Sequence, residues 1–305
     1  MKTMKPMVAL VLVLFMVSIS SHAARRIRVV ASTLDMADFA KQIGGDLVEV
    51  YSITQGKTDL HFYEPRPTQV MKLHKADLLI VGGLDIDVWI QSLIDASRNP
   101  KIQFGSPGYV DPSHGVLALD VPQGRIDGSM GDVHPWGNPH FWFTPENVCI
   151  AIENIYEGLC RISPGNKETF KANKERYLAK VARTFKQLQD KMAPFRGTKV
   201  VQYHESWNYF CQTFGLEIIG TMEPKPGIPP SAGHLSGLLR RMQAEGVQLI
   251  LVEPYYPERK VRAVASKTGA KVLRLPLYTG GRKGVSSYLE NLRCNVEAIV
   301  AALSQ

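Results

Sequence analysis

Short apolar runs alternate along this chain with stretches in which apolar residues recur every three or four positions. Ile27 to Ala31 is a β-rich run, and Thr33 to Ala40 follows with helical spacing that ends at Gly44-Gly45. Val48 to Ile53 reads as the next strand and Pro67 to Lys75 as a helix. Leu78 to Val81 is a buried strand closed by Gly82-Gly83, and Val88 to Ala96 is a helix. Strands alternating with helices of this length predict parallel sheet and an α/β class.

Residues 111–139 break the rhythm. They are rich in Gly, Pro, Asp and His, and read as a long loop of the functional or mobile kind. Helix resumes at Pro145 and runs to about Arg161. Ser163 and Pro164 then occupy the N-cap and first position of a second helix. Phe170, Tyr177, Val181, Phe185 and Leu188 share one of its faces, and Pro194 stops it. Some 30 residues of helix span about 45 Å, too long for one small lobe. The α/β rhythm then restarts: strand Lys199–Gln202, helix Trp207–Phe214, strand Glu217–Gly220, a proline-rich loop 223–233, helix Leu235–Ala244, strand Leu249–Val252, helix Arg259–Thr268, strand Val272–Leu275 and helix Tyr288–Leu303. The pattern predicts two (β/α) lobes with parallel sheets, 24–163 and 196–305, joined by one long helix over 164–195.

The first 23 residues stand apart. Lys2 and Lys5 precede an apolar run from Met7 to Ile19, and Ser21-His22-Ala23 places small residues before a cut at Ala24. This is the pattern of a secretory signal peptide. The run is short for about 30 Å of hydrocarbon, and no cysteine near the cut offers a lipid anchor. An exported, periplasmic protein without stable membrane insertion is expected. Composition adds exclusions: 45% apolar and 21% charged residues rule out a disordered chain. The net charge of +8 falls to +6 without Lys2 and Lys5, and its basic residues are scattered, which argues against nucleic acid. Cys149 and Cys160 lie about 16 Å apart along one helix, too far to bridge. A disulfide would need Cys211 or Cys294; four buried thiols are the other reading.

In open α/β sheets, ligands collect at the carboxyl ends of strands. His204 follows the strand Lys199–Gln202 one residue on, after Tyr203, and Glu253 directly follows the strand Leu249–Val252. His61 lies after the strand ending at Ile53, and His140 closes the irregular loop. The spacings among these four are far longer than those of a zinc finger, so separate elements would bring them to one cleft. His74, among lysines on a helix, reads as solvated. His114 and His234 read as turn or cap residues. His134 sits in the loop, where it touches metal transiently or not at all.

Asp59-Leu60-His61-Phe62-Tyr63-Glu64-Pro65, with Ala76-Asp77-Leu78 and Val81-Gly82-Gly83, resembles the first ligand region of the ZnuA/TroA-like metal-binding proteins of ABC importers. Asn138-Pro139-His140-Phe141-Trp142-Phe143-Thr144-Pro145-Glu146-Asn147 resembles their second, His204-Glu205-Ser206-Trp207-Asn208-Tyr209-Phe210 their third, and Val252-Glu253-Pro254 the strand end that follows. The resemblance covers nearly the whole chain in order. It implies two lobes bridged by a rigid helix, a metal in the inter-lobe cleft held by His61, His140 and His204, and a permease with its ATPase as partners of a monomeric carrier. Relatives usually carry an acidic fourth ligand after the last C-lobe strand. Here that loop, Pro276-Leu277-Tyr278-Thr279-Gly280-Gly281-Arg282, has no carboxylate. The fourth position then falls to Glu253 or to water, unless Glu253 instead accepts a histidine N–H.

Three neutral imidazoles suit Zn2+, whereas Mn2+ prefers more oxygen; Mn2+ or Fe2+ carriage is the alternative. From another class, a zinc hydrolase also uses three histidines and an open position. This chain lacks a His-Glu-x-x-His helix, and only Glu205 or Glu253 is placed to act as a base. The motif order favours a binding protein over an enzyme. An adhesin role, assigned to some relatives, finds no support in the missing lipid anchor.

Overall fold

A computed structural model describes residues 25–305, so the leader proposed over 1–23 lies outside the described residues. The N-terminal lobe comprises β1 (Ile27–Ala31), α1 (Leu34–Gly44), β2 (Val48–Ser52), α2 (Pro67–His74), β3 (Leu78–Ile80), α3 (Ile90–Ser97) and β4 (Tyr109–Val110). Its strands are all parallel, in the order β2-β1-β3-β4. Two helices follow, α4 (Pro145–Ile162) and α5 (Lys167–Met192). The C-terminal lobe repeats the plan with β5 (Lys199–Gln202), α6 (Asn208–Phe214), β6 (Glu217–Thr221), α7 (Ala232–Glu245), β7 (Leu249–Val252), α8 (Glu258–Thr268) and β8 (Lys271–Arg274), in the order β6-β5-β7-β8. The helix α9 (Tyr288–Leu303) closes the chain.

In both sheets the chain leaves the first strand for a neighbour on one side, then returns to add strands on the other. This creates a switch point beside β1 and another beside β5, and a crevice opens there at the carboxyl ends. Strands β3 and β7 are buried along their whole length, as their unbroken apolar runs require.

The long helix is shorter than its sequence pattern. Ser163 and Pro164 open a 3-10 turn, Pro164–Asn166, and the α-helix begins at Lys167. A second 3-10 turn, Ala193–Phe195, absorbs Pro194. Ser163 spends its hydroxyl accepting from the Asn166 side chain at 2.8 Å instead of capping. The 26 residues of α5 span about 39 Å. Phe170, Tyr177, Val181, Phe185 and Leu188 are all buried along it.

Among the described residues one apolar cluster runs through both lobes, while each lobe keeps a further cluster of its own. The shared cluster joins Val29 and Leu78 of the first sheet to Val200 and Leu249 of the second by way of α4, α5 and α9. Buried polar ties reinforce it. Asp35 accepts from the Thr279 hydroxyl at 2.6 Å, and Asp38 from the Tyr288 backbone N–H at 2.9 Å. The Tyr288 hydroxyl donates to the Trp142 carbonyl at 2.5 Å.

The 111–139 stretch contains only one 3-10 turn, Gly128–Met130. Expected as the moving part, it is fastened to the C-terminal lobe along its length. Leu119 N–H donates to the Tyr209 hydroxyl, Asn208 to Asp120, Asn138 to the Glu205 carbonyl, and Asp132 N–H to the Pro226 carbonyl. All four cysteines are free. Cys149 lies on the exposed face of α4 and only Cys211 is fully buried, so the reading of four buried thiols fails. Among the described residues, no helix is long and apolar enough to cross a membrane.

Candidate metal centre

His61 is set by a tight local turn. The Asp59 carboxylate accepts its backbone N–H at 3.0 Å, and the Trp89 indole N–H donates to the Leu60 carbonyl at 2.8 Å. From the other lobe, the Tyr256 hydroxyl donates to Asp59 at 3.3 Å. His140 precedes a 3-10 turn whose residues Phe141, Trp142 and Phe143 are all buried, so three aromatic anchors fix its backbone. His204 leaves the end of β5, where Trp207 is buried and its N–H donates to the Gln202 side chain at 2.9 Å.

The three histidines converge. Ring centroids lie 5.3 Å (His61–His140), 5.1 Å (His61–His204) and 5.5 Å (His140–His204) apart. One nitrogen from each falls within 4.8 Å of the others. The Nε2 atoms of His61 and His140 are 3.4 Å apart. Two ligands at about 2.0–2.1 Å from a tetrahedral ion are separated by about 3.3 Å, so this pair already has the spacing of two ligand positions. A cavity of about 50 Å3 opens beside them, lined by Asp132, His134, Asn138, His140, His204 and Glu205. That volume admits an ion with a water.

Tautomers follow from the outer partners. The Asn138 amide nitrogen donates to Asp120 at 3.0 Å and to the Glu205 carbonyl at 2.7 Å, so its oxygen faces His140 Nδ1 at 2.9 Å and must accept. His204 Nδ1 donates to Glu223 at 2.8 Å, and the same carboxylate oxygen accepts Gly227 N–H at 3.1 Å. His61 Nδ1 lies 3.0 Å from Asp132 and 3.1 Å from His134 Nε2. With Nδ1 engaged outward on each ring, the Nε2 lone pairs are free to point inward.

Among the three rings, burial keeps the lone pair of His140 open. Burial, with the neighbouring histidines adding to it, holds His140 well below the ordinary imidazole value. Burial and His61 bring His134 down to about 4. Burial also pulls on His204, but the Glu223 hydrogen bond and the charges of Glu253, Glu223 and Asp59 outweigh it, and the net shift is upward. The hydrogen bond with His61 holds Asp132 below the usual carboxylate value.

Glu253 stands apart from this arrangement. It is 0% exposed, and neither carboxylate oxygen has a hydrogen-bond partner among the described residues. It belongs neither to the His61–His140–His204 cluster nor to the other metal-competent group, His61, Asp132 and His134, and the acceptor on His204 Nδ1 is Glu223. Burial pushes its acid up to about 7. The sequence reading passed over Glu223, although it follows β6 as His204 follows β5, and the strand-end rule reaches it. It also passed over Asp132, whose loop carries no periodic signal. His74 is exposed, with its ring on the Ser97 carbonyl at 2.9 Å. His234 does not cap: Ser231 accepts its N–H, and its ring meets the Thr221 carbonyl at 2.9 Å. His114 is exposed, and its carbonyl accepts from Asn154.

Two parallel-sheet lobes sharing a core and closing on three inward-facing imidazoles define a metal-binding solute carrier. Residues 29–302 match the family described as zinc-uptake complex component A, periplasmic, and the chain belongs to that family. The chain is 24% identical to the iron-binding protein YfeA of Yersinia pestis, across 93% of this chain and 89% of that protein. It is equally identical to the manganese ABC transporter substrate-binding lipoprotein PsaA of Streptococcus mitis, across 93% and 91%. A crystal structure of ZnuA superposes with a TM-score of 0.77 at 25% identity, covering 91% of this chain and 99% of that one. The protein is thus an exported substrate-binding component of a metal ABC transporter and not an enzyme.

Proposed function

We propose that this chain captures Zn2+ in the periplasm as a monomer and hands it to a membrane permease driven by its ATPase. His61, His140 and His204 are the protein ligands, each through Nε2, and water fills the fourth position. The observation that carries this reading is the all-nitrogen convergence of three imidazoles, each with an oxygen acceptor at Nδ1. Such a donor set suits zinc, while manganese calls for more carboxylate or carbonyl oxygen. The loop after β8, where relatives usually place an acid, offers none here. A water ligand exchanges readily, which suits a protein that must surrender its ion. Relatives named for iron and manganese make the competing outcome concrete.

The test is competitive loading of chelator-stripped protein with equimolar Zn2+, Mn2+ and Fe2+, read by native mass spectrometry. One Zn2+ per chain is expected, with X-ray absorption showing three nitrogens and one exchangeable oxygen. Preferential loading of Mn2+ or Fe2+ overturns the assignment of zinc.

A further inference from the structure

Two of the three outer acceptors trace back to one short turn of the C-terminal lobe. Glu223 begins it, tied by its N–H to the Tyr203 carbonyl at 3.0 Å. The chain then folds over itself, with Ile228 N–H donating to the Lys225 carbonyl at 3.0 Å and Gly227 at φ +72°. The Glu223 carboxylate is clamped inside this turn by Gly227 N–H while it accepts from His204. The outer side of the same turn holds the 129–132 segment. The Pro226 carbonyl accepts Asp132 N–H at 2.9 Å, and Lys225 Nζ donates to the Ser129 carbonyl at 2.7 Å. Gly131 passes so close that an added Cβ would meet the Pro226 carbonyl oxygen at 2.2 Å. The Phe62 ring, next to His61, would meet a Cβ on Gly227 at 3.2 Å.

We infer that the 223–228 turn positions two metal ligands at once: His204 through Glu223, and His61 through Asp132, which the turn holds by its backbone. Asp132 and Glu223 are positioning residues. Each accepts Nδ1–H and so commits the ring's Nε2 to the ion, and each fixes the ring plane. Because His61 belongs to the N-terminal lobe and His204 to the C-terminal lobe, this turn is a latch across the cleft. Moving it away from the 129–132 segment withdraws the support of both rings together, and the metal loses affinity without either ligand being displaced by a competitor. The inference rests on the three-histidine reading above.

The experiment measures zinc dissociation constants by competition with a chromophoric chelator, using the purified chain and zinc alone. Glu223→Ala and Asp132→Ala are expected to weaken binding by about 10–100-fold each. Glu223→Gln and Asp132→Asn keep an oxygen acceptor for Nδ1–H and are expected to recover most of that loss, with three nitrogens still seen by X-ray absorption. Gly131→Ala, which touches no acceptor, is expected to reproduce Asp132→Ala by prying the segment off Pro226. Melting of the metal-free forms checks folding; where an alanine variant melts early, the isosteric amides and Gly131→Ala carry the test. Wild-type affinity in Glu223→Ala, Asp132→Ala and Gly131→Ala, alongside loss of binding in His61→Ala, overturns the latch and leaves the three-histidine site standing. Wild-type affinity in His61→Ala, His140→Ala and His204→Ala overturns the underlying site instead. Amide variants as weak as alanine, with an oxygen neighbour lost, make the carboxylates ligands and overturn the positioning role. Two zinc ions in the wild type and one in Asp132→Ala place Asp132 in a second metal site, which also overturns it.

Discussion

At the scale of single residues, the site separates groups that hold metal from groups that merely lie near it. His61→Ala, His140→Ala and His204→Ala should each weaken zinc binding by more than the roughly 10–100-fold of an outer partner, whereas His74→Ala and His234→Ala should leave it unchanged. Isothermal titration of the five variants checks this; uniform small losses would point to a different cleft. Glu253 makes the opposite case. Its carboxyl is buried without a hydrogen-bond partner, and burial lifts its folded-state value from 4.5 to about 7. The folded state therefore holds that proton more tightly than the unfolded chain does. Its contribution to stability is fully present below about pH 4.5 and is lost as pH rises through about 7. Glu253→Gln should flatten the fall in melting temperature between pH 5 and pH 8 while changing zinc affinity only slightly. A steep loss of affinity in this variant would restore Glu253 as a ligand. The convergence of the three histidines was legible because each lies in a distinctive motif, and His204 also stands at the end of a strand. The acceptors were less so: the strand-end rule reaches Glu223, but Asn138 carries no charge signal and Asp132 lies in a stretch without periodicity. What selects them is where the chain returns in space.

At the scale of elements, strands and helices were legible because their apolar periods are clean, and the ends were less so because prolines have two uses. Pro145 starts α4, with Thr144 accepting from Asn147 N–H. Pro164 and Pro194 instead sit in tight turns at either end of α5. The middle of α5 is where packing matters. Phe185 is 1% exposed and stacks on Phe214 of α6, with centroids 6.3 Å apart. Phe185→Ala should cost about 3–5 kcal/mol in chemical denaturation. The unfolding curve should stay a single transition, because the core that α5 completes is common to both lobes. Two separated transitions would show that the lobes unfold independently.

For the whole molecule, the shared core and the buried Asp35–Thr279 and Asp38–Tyr288 contacts leave little freedom for one lobe to swing on the other. Small-angle X-ray scattering should show no resolvable change in radius of gyration between stripped and zinc-loaded protein. A clear contraction on loading would reveal a hinge that the packing does not suggest. The overall plan was legible from the sequence as two rhythms flanking a long helix. The sequence did not disclose that one apolar cluster is shared by both lobes, because a buried residue looks the same whichever sheet it faces.

The placement of α9 also sets an order of events. This last helix packs against α1 and α5, and its residues Tyr288, Leu292, Val296 and Ile299 complete the core that begins at Val29. The first lobe to be synthesised therefore lacks part of its interior until the final stretch of chain has appeared. A chain cut before Tyr288 would leave the inner face of the first lobe open, so its unfolding should lose cooperativity.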